Sequence, residues 1–77
     1  MSARLPAIGG RRAIQALHKA GFVTARISGS HHLLTHPGDR SRTVVVPVHG
    51  SHDLKPGTLR AVIRQAGLTV EEFVALL

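Results

Sequence analysis

Apolar positions recur at helical spacing near both ends of the chain and alternate between them. Ala13, Ile14, Leu17 and Ala20 fall at offsets of one, four and seven, the narrow stripe of a helix over residues 10 to 20. Gly9 or Gly10 starts it, a weaker N-cap than Ser or Asp, and Gly21 stands where helices commonly end in a left-handed residue. From Phe22 to Ser28 the period drops to two. Phe22 and Val23 lead into Ala25 and Ile27, with Thr24, Arg26 and Ser28 between, which predicts a half-buried strand. Ser28-Gly29-Ser30 is a turn, His31 to His36 a second strand, and Pro37-Gly38-Asp39 its close. The β-branched run from Arg42 to Val46 predicts a third strand, ended by Pro47. Such short connections make the three strands an antiparallel meander.

Val48 to Pro56 is polar, contains Gly50 and reads as a loop. Leu59, Val62, Ile63 and Ala66 form a second helical stripe that starts near Pro56 and stops at Gly67. Proline suits the first turn of a helix, where its missing N–H is not needed. Thr69 and Glu72 have capping-box spacing, and Phe73, Leu76 and Leu77 make the apolar side of a short terminal helix. The expected fold is α+β: an α-β-β-β-α chain with both helices on one face of a three-stranded antiparallel sheet, plus a short C-terminal helix. The other sheet face is left to solvent. This is the arrangement of double-stranded-RNA-binding domains. Residues 1–77 read as one domain, with no repeat, low-complexity segment or linker.

Alternate strand residues share a face. Leucines at both 33 and 34 leave the inward side open to either reading. Placing Leu34 inward puts His31 and Thr35 on the open face with Arg26 opposite, and sends His32 and His36 to the other side.

Composition narrows what such a fold can do. There is no cysteine, so no disulfide or thiolate zinc site holds it together, and Phe22 and Phe73 are the only aromatic residues of the core. No apolar run approaches the roughly 20 residues that span a bilayer. Met1 to Ile8 lacks the apolar stretch of a secretory signal, so a cytoplasmic location is expected. Charge says more. Ten Lys and Arg face four acids, for a net +6, and residues 1–38 carry Arg4, Arg11, Arg12, Lys19 and Arg26 with no acid at all. A basic face of this kind serves a polyanion such as RNA, docks an acidic protein, or is simply soluble surface.

Gly29-Ser30-His31-His32 joins that charge to chemistry. Imidazole exchanges protons near neutral pH, and a positioned histidine contributes roughly 10²- to 10⁴-fold as a general acid or base. RNA cleavage without a metal needs a base for the 2′-hydroxyl, a donor for the leaving 5′-oxygen and a cation for the phosphorane. His31 at the turn can take the first or second role, and a turn glycine lets a phosphate backbone approach. Metal binding is not expected. His32 and His36 lie about 13 Å apart on a strand, His49 and His52 are three residues apart in a loop, and the nearby acids are Asp39 and Asp53 only. His18, on the first helix, is expected to be exposed and inert. Lys55 precedes the second helix, where a phosphate contact is favoured; alternatively Asp53 caps that helix and Lys55 is a solvated charge.

Gly21-Phe22, Gly29-Ser30-His31-His32, Val46-Pro47-Val48-His49-Gly50, Leu54-Lys55-Pro56-Gly57-Thr58-Leu59-Arg60 and Gln65-Ala66-Gly67-Leu68 follow one another in an order that resembles the HicA (YcfA-like) toxins of bacterial type II toxin–antitoxin systems. The likeness runs from about Leu5 to Leu77. It implies a double-stranded-RNA-binding-like fold, ribosome-independent cleavage of mRNA, and neutralisation by a HicB-like antitoxin that covers the active face. It places the catalytic histidine at His31 and the turn glycine at Gly29. Many members carry Ser before the first helix; Gly9 and Gly10 stand there in this chain. Active-site support is expected from Ser30, His32, Arg26, His36 and Lys55, with no cofactor and no metal. Water or a phosphate oxygen is the preferred second proton-transfer group, ahead of His36 and Lys55. The alternative is a non-catalytic RNA-binding module of the same fold.

Overall fold

The helical stripes read from the sequence are the buried faces of two ten-residue helices, α1 (Gly10–Lys19) and α2 (Pro56–Gln65). In the computed structural model, which describes residues 4–77, these helices flank three strands: β1 (Val23–Ser28), β2 (His31–His36) and β3 (Asp39–Pro47). A short α3 (Val70–Val74) follows. Residues 1–3, part of the segment read for a secretory signal, lie outside the described residues. The order is the expected α-β-β-β-α with its terminal helix. The strands pair antiparallel in the order β1-β2-β3.

One apolar cluster joins the helices to the sheet. Leu17, Leu59 and Val62 from the helices meet Leu34, Val44 and Val46 from the sheet, with Phe22 and Phe73 filling the ends. Burial of each such large side chain contributes about 1.5–3 kcal/mol. Leu34 is fully buried, so the inward parity chosen for β2 is the one found. The start of α1 lies close against the sheet, because Gly10 sits on the Pro47 carbonyl where any side chain would collide. Thr69 Oγ1 accepts the Glu72 N–H at 3.1 Å while Glu72 accepts the Thr69 N–H at 2.8 Å, completing the capping box of α3.

Three local expectations are corrected. β1 is exposed along its whole length rather than half-buried, with Val23 and Ile27 47% and 59% exposed. It is an edge strand, and the helices pack mainly over β3, leaving β1 uncovered. A register shift between Thr24 and Arg26 also breaks the simple alternation. Phe22 precedes the strand; its N–H bonds the Leu17 carbonyl at 3.0 Å and its ring enters the core. β3 begins at Asp39 rather than Arg42, because His36 pairs with Asp39 and the intervening Arg40–Arg42 bulges out of register. The bulge satisfies itself: Ser41 N–H and Oγ–H both donate to Asp39, and Thr43 Oγ1–H donates to the Arg40 carbonyl. Finally, Asp53 does not cap α2. The N-cap is Lys55, without a side-chain hydrogen bond, and the Asp53 backbone instead bridges to Gly9.

Candidate active site

The sheet face turned away from the helices is built in three cross-strand rows. Val23, Thr35 and Thr43 form the first; Arg26, Leu33 and Val45 the second; Ser28, His31 and Pro47 the third. Paired residues share a face, so this assignment follows from the register once Leu34 is known to point inward. His31 therefore occupies the last row of the open face. Its side chain is exposed and makes no hydrogen bond among the described residues. Arg26 is its diagonal neighbour, roughly 7–8 Å away.

The turn before His31 explains its access. Ser28 pairs directly with His31, leaving Gly29-Ser30 as a two-residue loop. Gly29 has φ +59°, a left-handed value that suits the first central position of a type II′ hairpin. No atom lies within 4 Å of the place where its Cβ would be, so the approach over the turn is open. Ser30 fastens the neighbouring strand end, its carbonyl accepting the Val48 N–H at 2.7 Å.

Beside this row lies a cleft of about 330 Å³, bordered by Pro47, His49, His52, Asp53, Lys55 and Thr58. Pro47 belongs to both features, since it is the cross-strand partner of His31. The structure thus sets His31, Gly29 and Ser30 at one end of the sheet, with Arg26 in the adjoining row and Lys55 in the cleft that Pro47 also borders.

Three other histidines go elsewhere. His32 pairs with Ile27 and Val46 on the helix side of the sheet, where it lines a groove with Arg11, Ile14 and His18. His18 is exposed but not inert, because its Nε2 lies 3.1 Å from Thr24 Oγ1 and ties α1 to β1. His36 lies five residues from His31 along β2, about 16 Å. Its Nδ1 accepts the Gly38 N–H at 3.1 Å, and its ring stands edge-on to Phe22 with centroids 5.2 Å apart. Above the same Phe22 ring sits the Arg42 guanidinium, at 5.2 Å, which also donates through Nε to the Ala66 carbonyl at 2.8 Å.

In the sequence His49 reads as a weak metal-ligand candidate and as part of the Val46–Gly50 run of the resemblance, with no place beside His31. The signal was present: Val44, Val46 and Val48 alternate inward, which leaves Val45, Pro47 and His49 facing out. Among the described residues no three His, Cys, Asp or Glu side chains group as a metal site, and no described helix is long and apolar enough to cross a membrane. No curated protein matches the chain. A family model described as HicA toxin of bacterial toxin-antitoxin matches residues 10–68.

Proposed function

The chain belongs to the HicA toxin family of bacterial toxin–antitoxin systems, and from that premise we propose that it is a metal-independent endoribonuclease that cleaves mRNA through His31. The carrying observation is the placement of His31. It is exposed on the open sheet face, follows a glycine turn with clear approach, and stands in the row that borders the Lys55 cleft. Its imidazole exchanges a proton with the 2′-hydroxyl or the leaving 5′-oxygen. Arg26 and Lys55 flank it with fixed positive charge, which favours the phosphorane over the ground-state ester. Gly29 and Ser30 shape the turn, while His32 and His36 act at a distance by holding the sheet.

The partner of this reading is a HicB-like antitoxin that covers the open face. Leu33 and the exposed Val45 and Val23 lie there with Arg26 in the same rows, a surface suited to a partner with an apolar centre and an acidic group beside it. The chain works in the cytoplasm, where its mRNA substrate and antitoxin are made.

The test is direct. Purified protein incubated with RNA in EDTA is expected to yield discrete fragments, and His31→Ala to leave the RNA intact. Salt-sensitive binding without cleavage in the unaltered protein would instead make it an RNA-binding module. Undiminished cleavage by His31→Ala would remove His31 from the chemistry.

A further inference from the structure

We infer that His49 is the second proton-transfer residue of this site, working with His31 across a bound RNA phosphodiester; the inference rests on the ribonuclease reading above. Cleavage by 2′-hydroxyl attack moves two protons, and one imidazole in a fixed protonation state handles one of them well. Five histidines other than His31 are available. His18 is engaged with Thr24, His32 is on the helix side of the sheet, and His36 is held at the far end of β2. His52 lies beyond the Gly50 turn, outside the strand alternation that orients the residues beside His31.

His49 is the one that the strand geometry delivers to His31. The antiparallel ladder continues one step past β3 through the Val48 N–H bond to the Ser30 carbonyl. Buried Val46 and Val48 fix the alternation, so His49 shares the outward side with Pro47, the register partner of His31. His49 is then the diagonal neighbour of His31, at roughly 7–8 Å, a gap that a phosphate group fills. Both His49 and Pro47 border the cleft, with Lys55 as its cation and Asp53 as its one carboxylate.

The step balances with no further reactant. One imidazole takes the 2′-hydroxyl proton as the O2′–P bond forms. The other, as imidazolium, gives its proton to the 5′-oxygen as the P–O5′ bond breaks. The products are a 2′,3′-cyclic phosphate and a 5′-hydroxyl. The two rings finish with exchanged protonation and reset through water.

The experiment compares an RNA linkage with the same linkage carrying sulfur at the bridging 5′ position, whose thiolate leaves without a proton donor. On the ordinary linkage His49→Ala is expected to cleave about 10²- to 10⁴-fold more slowly, as His31→Ala does, with RNA affinity unchanged and no recovery in His49→Gln. On the sulfur linkage, one of the two alanine variants regains its rate and the other does not. A wild-type rate in His49→Ala overturns the inference, as does a rate loss matched by lost affinity, or rescue of both variants or neither. Failure of the ribonuclease reading is separately visible. An unaltered protein that leaves RNA intact ends both, and cleavage surviving His31→Ala while His49→Ala is inactive ends the pairing.

Discussion

The two ends of β2 carry the same side chain in opposite circumstances. His31 opens the strand, exposed and without a protein partner, beside a turn with nothing above it. His36 closes the strand, and its ring rests in space left by Gly21 and Gly38, where an added Cβ would come within 3.0 and 3.3 Å. Its Nδ1 is taken by a backbone N–H and its edge by Phe22. An imidazole that is already hydrogen-bonded and packed is a structural part. One held in place only by its backbone, on a rigid strand with cations nearby, is free to exchange protons with a substrate. Residue type alone does not separate the two; neighbours do.

The sharpest way to break this contrast is to truncate each end in turn. His31→Ala is expected to lower RNA cleavage by about 10²-fold or more while leaving the melting temperature unchanged. His36→Ala should do the reverse, costing about 1 kcal/mol through the lost ring contact and hydrogen bond, with cleavage retained. Parallel melting curves and cleavage assays read both. A stable but inactive His36→Ala would place chemistry at the wrong end of the strand.

Arg42 extends the packed end to α2, and its loss is the next largest effect. It bonds the carbonyl of Ala66, the C-cap of α2, and lies over the ring that contacts His36. A charge-assisted bond at a helix C-terminus plus a cation–π contact is worth about 2 kcal/mol. Arg42→Ala should therefore lower the melting temperature by roughly 10 °C in a chain of this size. Arg42→Lys should recover only part, since an ammonium cannot match both the directional bond and the stacked plane. An unchanged melting curve would show that this end is not held by that side chain.

At the open end the corresponding change is smaller. Gly29→Ala meets no neighbouring atom, so its whole cost is the left-handed backbone, about 1 kcal/mol. If the turn positions His31, cleavage falls along with stability. A stable variant with full activity would mean that this turn tolerates a side chain and that approach over Gly29 is not used.

Most of the fold was legible because its signals are local. The stripes of α1 and α2, the Gly21 and Gly67 stops, Pro56 in a first turn and the Thr69–Glu72 box each depend on residues within a few positions. What failed depends on distant neighbours. Phe22-to-Ser28 alternates like a half-buried strand, yet no helix reaches β1 to bury it. Arg42 reads as the start of a strand, because no local signal shows that His36 pairs with Asp39 across a bulge. The candidate site divides the same way. The His31 turn stands out in the chain, whereas His49 joins it only through a strand register and a three-valine alternation that ends at the loop.

The bulge at the packed end offers the finest test, through one carboxyl group. Asp39 accepts the Ser41 hydroxyl at 2.6 Å and the Ser41 N–H at 3.1 Å, and these bonds, with a smaller contribution from the Arg42 charge, hold its pKa below the usual carboxylate value. Bonds to the ionised form favour it in the folded state. Their stabilising effect is present above the unfolded carboxyl pKa and is lost as pH falls through the lowered folded value. Ser41→Ala removes the stronger bond and leaves the backbone one, so the Asp39 midpoint, followed by NMR, should rise part of the way toward normal. Because Asp39 is fully exposed, the accompanying change in stability should be small and confined to acid. The His31 end of the sheet should give the same cleavage rate at neutral pH in this variant. A changed rate would mean that the two ends of β2 are coupled, and the division of roles between its histidines would have to be drawn differently.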